Sequence, residues 1–121
     1  MKPKILIVDD QPEIRQLLTL TLGGDYDVIC AADGTSALEA VRAHQPQAVL
    51  LDVTMPGPID GLQVLSIIKT TAATKNVPVA MITAHSFAAD FRLANEIGAD
   101  AYFIKPFSPL RLVNWLQEIV K

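Results

Sequence analysis

A single cysteine, Cys30, stands in 121 residues, so no internal disulfide can staple this chain. Cys30 lies within an apolar run, where a small buried hydrophobe is the expected reading. No apolar stretch approaches the ~20 residues that cross a bilayer as a helix, so no membrane insertion is expected. The N-terminus enters a short apolar run with no hydrophobic signal region, which gives no reason to expect export. Basic charge is scarce as well: 10 Lys and Arg stand against 13 Asp and Glu, a net charge of −3. Surfaces that grip nucleic acid usually carry a basic patch, so direct nucleic-acid contact by this domain is not expected. Repeats, low-complexity tracts and linkers are absent. What is left is a globular composition, 50% hydrophobic and 19% charged, in a length that holds one domain and one core. A cytoplasmic protein fits these features.

Five short runs rich in Val, Ile and Leu cover residues 5–8, 28–31, 49–51, 79–82 and 102–104. They are continuous rather than alternating, the pattern of strands buried on both faces of a parallel sheet. The stretches between them have helical spacing. Ile14, Leu17, Leu18 and Leu22 recur at helical intervals, with Pro12 suited to the first turn and Gly23-Gly24 suited to a left-handed stop. Asp33 is a plausible N-cap before Ala37, Leu38 and Val41. A third helix starts near Gly61 with Leu62, Leu65 and Ile68 on one face, and a fourth runs from about Ser86 to Ile97 and stops at Gly98. The last has Ser108 as N-cap and Pro109 at its first position, then Leu112, Val113, Leu116 and Val120.

This alternation predicts an α/β fold: a flavodoxin-like, doubly wound (βα)5 three-layer sandwich with parallel strand order 2-1-3-4-5. Four strand ends then become informative. The first run ends on Asp9-Asp10, the third on Asp52, the fourth on Thr83 and the fifth on Lys105-Pro106. Strands 1 and 3 flank the point where the winding reverses, the crevice in which such sheets bind ligands. Three carboxylates gathered there repel one another. Lys105 offsets one charge, and one divalent cation would offset the other two. Oxygen-only ligands suit Mg²⁺. A carboxylate so placed can attack a phosphoryl group, a reaction that needs mainly positioning and charge neutralisation. Taken singly, each acid has a plainer reading: Asp10 as a cap for the first helix, Asp60-Gly61 as a turn. Four matched strand ends make that reading hard to sustain.

Over essentially its whole length the chain resembles the response-regulator receiver domain, the phospho-acceptor module of two-component signalling. The motifs are Val8-Asp9-Asp10, Leu51-Asp52-Val53-Thr54-Met55-Pro56-Gly57, Asp60-Gly61, Thr83-Ala84, Gly98-Ala99 and Tyr102-Phe103-Ile104-Lys105-Pro106-Phe107. The resemblance implies that residues 1–121 form one receiver domain without an output domain. It implies phosphorylation at Asp52. Asp10 would ligate Mg²⁺ directly, Asp9 mainly through water, and Thr54 through its backbone carbonyl. Lys105 and Thr83 would contact the phosphoryl group, Tyr102 would move inward, and the Lys105-Pro106 bond would be cis. The donor would be a sensor histidine kinase or histidine phosphotransfer protein. The domain would catalyse its own phosphorylation and dephosphorylation without being an enzyme toward another substrate. It would signal through the face of the fourth helix, fifth strand and fifth helix, as a monomer or phosphorylation-dependent dimer.

The spacing from Asp52 to Asp60 is one residue longer than the family's usual spacing, because of the segment Gly57-Pro58-Ile59. His85, with Thr54, is at a position where the family tunes phosphoryl lifetime, and an incidental loop residue is the equal alternative. His44 reads as a solvated residue of a C-terminal turn. Trp115 is either a partner anchor or boundary packing, with packing the safer reading. Three other readings fit these residues less well. Phosphatases of the haloacid-dehalogenase type also form an aspartyl phosphate, but they place a second aspartate where Thr54 stands. A flavodoxin would need a phosphate-holding first loop, whereas Asp9-Asp10-Gln11-Pro12 would repel phosphate. A receiver fold acting as an unphosphorylated interaction module would leave the intact acids and Lys105 unexplained.

Overall fold

Strand and helix alternate throughout: β1 (Lys4–Val8), α1 (Pro12–Leu22), β2 (Asp27–Ala31), α2 (Gly34–His44), β3 (Ala48–Asp52), α3 (Gly61–Thr70), β4 (Val79–Thr83), α4 (Ala88–Ile97), β5 (Ala101–Ile104) and α5 (Pro109–Ile119). The structure is a computed structural model that describes residues 2–84 and 88–120. The five strands form one parallel sheet in the order β2-β1-β3-β4-β5. Each central strand sends alternate side chains to opposite faces. Leu6, Val8, Val49, Leu51, Val79 and Met81 pack with α2, α3 and α4. Ile5, Ile7, Leu50, Ala80 and Ile82 pack with Leu18 and Leu22 of α1 and Leu112 and Leu116 of α5. Two apolar layers therefore sandwich the sheet, as the continuous runs require.

The two outer strands depart from that pattern. β3 and β4 are buried throughout, whereas β2 and β5 are largely half-exposed. Cys30 is exposed rather than buried. It pairs in register with the enclosed Ile7, but β2 is an edge strand, open on the side away from β1, and the α1 side chain that reaches Cys30 is the polar Thr19, 3.6 Å from its sulfur. Ile104, at the end of the other edge, is likewise 47% exposed.

Helix ends follow local chemistry. Asp33 caps α2 by accepting from the Ser36 N–H at 2.8 Å. Asp60 accepts from the Gln63 N–H while the Gln63 side chain accepts from the Asp60 N–H, each at 2.9 Å, a reciprocal capping box. Ser108 caps α5 ahead of Pro109. Each such cap contributes about 1 kcal/mol. Gly98 ends α4 with φ +119°, and the expected start of that helix near Ser86 lies outside the described residues, as does His85. Gly23 ends α1 in a right-handed conformation, not the left-handed one expected. Its N–H continues the helical pattern to the Thr19 carbonyl, and Tyr26 caps Leu22 in turn, so no chain reversal is needed there. α2 instead ends on Gln45 in the left-handed region, φ 48°. On α1, Leu18 and Leu22 form the buried stripe, while Leu17 turns outward and is 43% exposed. Trp115 is half-buried and meets Phe103 edge-on at 6.3 Å, which is boundary packing. His44 is exposed in the last turn of α2.

Candidate functional site

The C-terminal ends of β1, β3, β4 and β5 open on a cleft of about 190 Å³ lined by Asp10, Gln11, Asp52, Thr54, Ala84 and Lys105. A larger hollow of about 400 Å³ between α2 and α3 is walled mostly by Val41, Pro46, Ala73, Val77 and threonines, with Arg42 its one charged residue. Convergent chemistry, not size, marks the smaller cleft.

Asp9 directly follows β1 and is 2% exposed. Its N–H donates to the Ala31 carbonyl of β2, which fixes the turn out of the sheet. Its carboxylate accepts from the Gln11 N–H at 2.9 Å and from Lys105 Nζ at 2.9 Å. The guanidinium of Arg15 donates to its carbonyl at 2.8 Å. Asp10 is exposed, and the N-cap of α1 is Gln11, so Asp10 does not cap that helix. Asp52, the last residue of β3, is 5% exposed and accepts from the Thr54 N–H at 3.2 Å. Lys105 Nζ lies 3.6 Å from its other oxygen, an ion pair rather than a hydrogen bond. Thr83 is buried at the end of β4, and its carbonyl accepts from the Lys105 N–H at 2.6 Å. The Lys105-Pro106 bond is cis. Tyr102 stands off the cleft, half-buried, with its ring edge-on to Phe91 at 5.0 Å.

Carboxylate oxygens of Asp9, Asp10 and Asp52 lie within 4.8 Å of one another. An all-oxygen set with only three carboxylates and an open side is what a Mg²⁺ ion that retains waters would accept. The donor set therefore fits the cation inferred from sequence.

Burial pushes the Asp52 carboxyl from its ordinary value near 3.8 up to about 7. The neighbouring Asp9 charge adds to the rise, while Lys105 and the Thr54 N–H oppose it. Between these two values the folded protein holds a proton that the unfolded chain releases, so stability falls as pH rises from about 4 to about 7. With cleft solvent screening the full shift down to roughly half, Asp52→Asn is expected to stabilise the metal-free protein by about 2 kcal/mol at pH 8. At pH 4 the gain should shrink toward zero. Urea unfolding of both proteins at the two pH values checks this, and an equal gain at both would contradict it.

The β3–α3 loop carries the additional residue noted in the sequence. Gly57 takes φ +98°, and Ile59 folds back onto the start of α2. There a Cβ on Gly34 would lie 2.6 Å from the Ile59 carbonyl oxygen. The longer loop is thus packed down against the start of α2.

Sequence reasoning located Asp9, Asp10, Asp52, Thr54 and Lys105, and the structure brings them together. Thr83 joins them through the backbone, and Tyr102 is on the adjoining face. Gln11 was missed as a member of the site: its side-chain oxygen accepts from Lys105 Nζ at 3.0 Å. The signal for it was a long amide at an N-cap position directly before Pro12.

Comparison with known proteins agrees with this fold. Residues 5–117 match the family described as response regulator receiver domain. The DNA-binding response regulator MtrA of Mycolicibacterium smegmatis is 41% identical over 114 residues, which are 93% of this chain and 48% of that protein. The chain thus spans about half the length of the curated relatives it matches. DNA binding belongs to that relative's description, so the comparisons lend no support to the expected lack of nucleic-acid contact. Among solved structures, the chemotaxis protein CheY4 of Vibrio cholerae superposes with a TM-score of 0.90 at 30% identity, covering 99% of this chain and 100% of that one. The receiver domain of the Francisella response regulator 1452 does so with a TM-score of 0.88 at 27% identity, over 98% and 96% of the two chains. No helix among the described residues is long and apolar enough to cross a membrane. With the whole length of the fold and the matching segment in accord, this chain belongs to the response regulator receiver domain family.

Proposed function

We propose that this domain is a signalling switch thrown by transfer of a phosphoryl group to Asp52. The observation that carries the reading is a nearly buried carboxylate at the wall of an open cleft, between two other acids and one ammonium. An Asp52 oxygen would form the new P–O bond while the P–N bond to a histidine of a sensor kinase or phosphotransfer protein breaks. The proton needed by the departing imidazole comes from solvent or the donor. Lys105, 3.6 Å from that carboxylate, would follow the incoming negative charge, and Thr83 would offer its hydroxyl to a phosphoryl oxygen. Asp10, Asp52 and the Thr54 carbonyl would hold Mg²⁺, with Asp9 behind them, and the ion would neutralise charge on the transferring group. The hydrogen bonds already made by both oxygens of Asp9, to the Gln11 N–H and Lys105, support its secondary place.

Because the domain itself supplies the nucleophile and cation, small phosphodonors would serve as well. The output would leave through α4, β5 and α5. Phe91, 52% exposed, and Ile104, 47% exposed, lie on this face beside Tyr102. A phosphatase reading is not favoured, since Thr54 offers a backbone N–H to Asp52 and no second acid. A cytoplasmic setting suits a kinase partner and the exposed thiol of Cys30.

Incubation with acetyl phosphate and Mg²⁺, followed by intact-mass spectrometry, tests the proposal. One phosphoryl group should be gained, lost again in alkali, and absent when EDTA replaces the ion. No gain under any of these conditions would refute it.

A further inference from the structure

Gln11 is the site residue whose identity its local backbone does not explain. It occupies the N-cap of α1, where a short Ser, Thr, Asp or Asn would accept from the first helical N–H groups. Its side chain makes no such bond. It reaches instead across 94 positions of sequence to accept from Lys105 Nζ at 3.0 Å. A residue that breaks a local rule without a local gain points to a task at the site.

That task follows from the partners of the ammonium. Lys105 Nζ makes full hydrogen bonds to Asp9 at 2.9 Å and Gln11 at 3.0 Å, and only a looser ion pair with Asp52 at 3.6 Å. Without Gln11, attraction would draw the cation into direct contact with Asp52. The carboxylate would then be stabilised in its unreacted state, and one of its oxygens would be covered. Stabilising the ground state more than the transition state slows a reaction. A neutral amide suits this role. An apolar side chain would not hold the ammonium, and a carboxylate would hold it too firmly to release it to a phosphoryl oxygen.

We infer that Gln11 is a positioning residue that parks the Lys105 ammonium on the β1 side of the cleft, so that the cation meets the arriving phosphoryl group and not the nucleophile. The inference rests on Asp52 being the acceptor. Gln11→Met keeps the length and removes the acceptor oxygen; Gln11→Glu keeps an oxygen. In Gln11→Met the nitrogen-15 resonance of the Lys105 ammonium, assigned with Lys105→Arg, should shift or broaden, and in Gln11→Glu it should persist. The rate constant for phosphorylation by acetyl phosphate at saturating Mg²⁺ should fall about tenfold in Gln11→Met. Its circular-dichroism spectrum should stay that of wild type, since no side-chain cap of α1 is lost. An unchanged ammonium resonance or an unchanged rate in Gln11→Met overturns the inference. The resonance is read without a phosphodonor, so it judges Gln11 even if wild type takes up no phosphoryl group, a result that would count against Asp52 instead.

Discussion

Asp52→Ala should take up no phosphoryl group, from acetyl phosphate or from a phosphohistidine donor, a loss of at least about 10³-fold in rate. The other acids are poor substitutes. Both oxygens of Asp9 are engaged, by the Gln11 N–H and by Lys105. Asp10 is exposed, and Lys105 forms no ion pair with it among the described residues. The loss should not come from unfolding. Removing a carboxylate that burial and Asp9 hold at about 7 relieves repulsion, so the variant should unfold at higher urea than wild type at pH 8. Mass spectrometry and urea unfolding on one preparation separate these effects. Modification of Asp52→Ala at the wild-type rate would move the acceptor elsewhere; a lower urea midpoint would contradict the electrostatic account.

Gly61→Ala should be the most damaging single methyl group in the fold. A Cβ there would stand 1.9 Å from the Asp52 carbonyl oxygen and 2.7 Å from the Val53 Cα. Both are backbone atoms and cannot turn aside as a side chain would. The Gly61 N–H also donates to the Val53 carbonyl at 3.0 Å, tying the start of α3 to the site strand. Intrinsic helix propensity favours Ala by about 1 kcal/mol, so the steric effect must overcome that gain. Relieving the overlap means moving α3 away from β3, and overpacking of this kind costs about 3 kcal/mol. Gly24→Ala is the matched control, since nothing lies within 4 Å of its added Cβ and its φ is not positive. It should be neutral or slightly stabilising, by about 0.5 kcal/mol. Urea midpoints decide, and a Gly61→Ala protein within 1 kcal/mol of wild type would disprove the close approach. Phosphorylation of Gly61→Ala should also slow, because the displaced backbone carries Asp52.

Strand order and site were legible for one reason. The runs end on chemically distinct residues, and winding rules bring those ends together without any knowledge of packing. Asp33 and Ser108 were legible because capping is local. The failures share the opposite cause. Whether Cys30 is covered depends on β2 being an edge, which is set by the whole sheet. Leu17 and Leu18 carry the same side chain, and only the orientation of α1 against β1 decides that Leu18 faces inward. The right-handed Gly23 and the left-handed Gln45 show that a glycine pair permits a reversal without requiring one. The grip of Gln11 on Lys105 spans 94 positions of the chain, and no periodicity encodes such a distance.

The 2.6 Å link from the Lys105 N–H to the Thr83 carbonyl has a mechanical corollary. The two residues that would greet the phosphoryl group share a peptide clasp between neighbouring strands, so neither can be pulled far alone. A tug on the Lys105 ammonium is also a tug on the tip of β4. Through β5 the same clasp leads to Tyr102 and the exposed Phe91 against it. News of the added charge would leave the cleft as one concerted shift of paired strand tips.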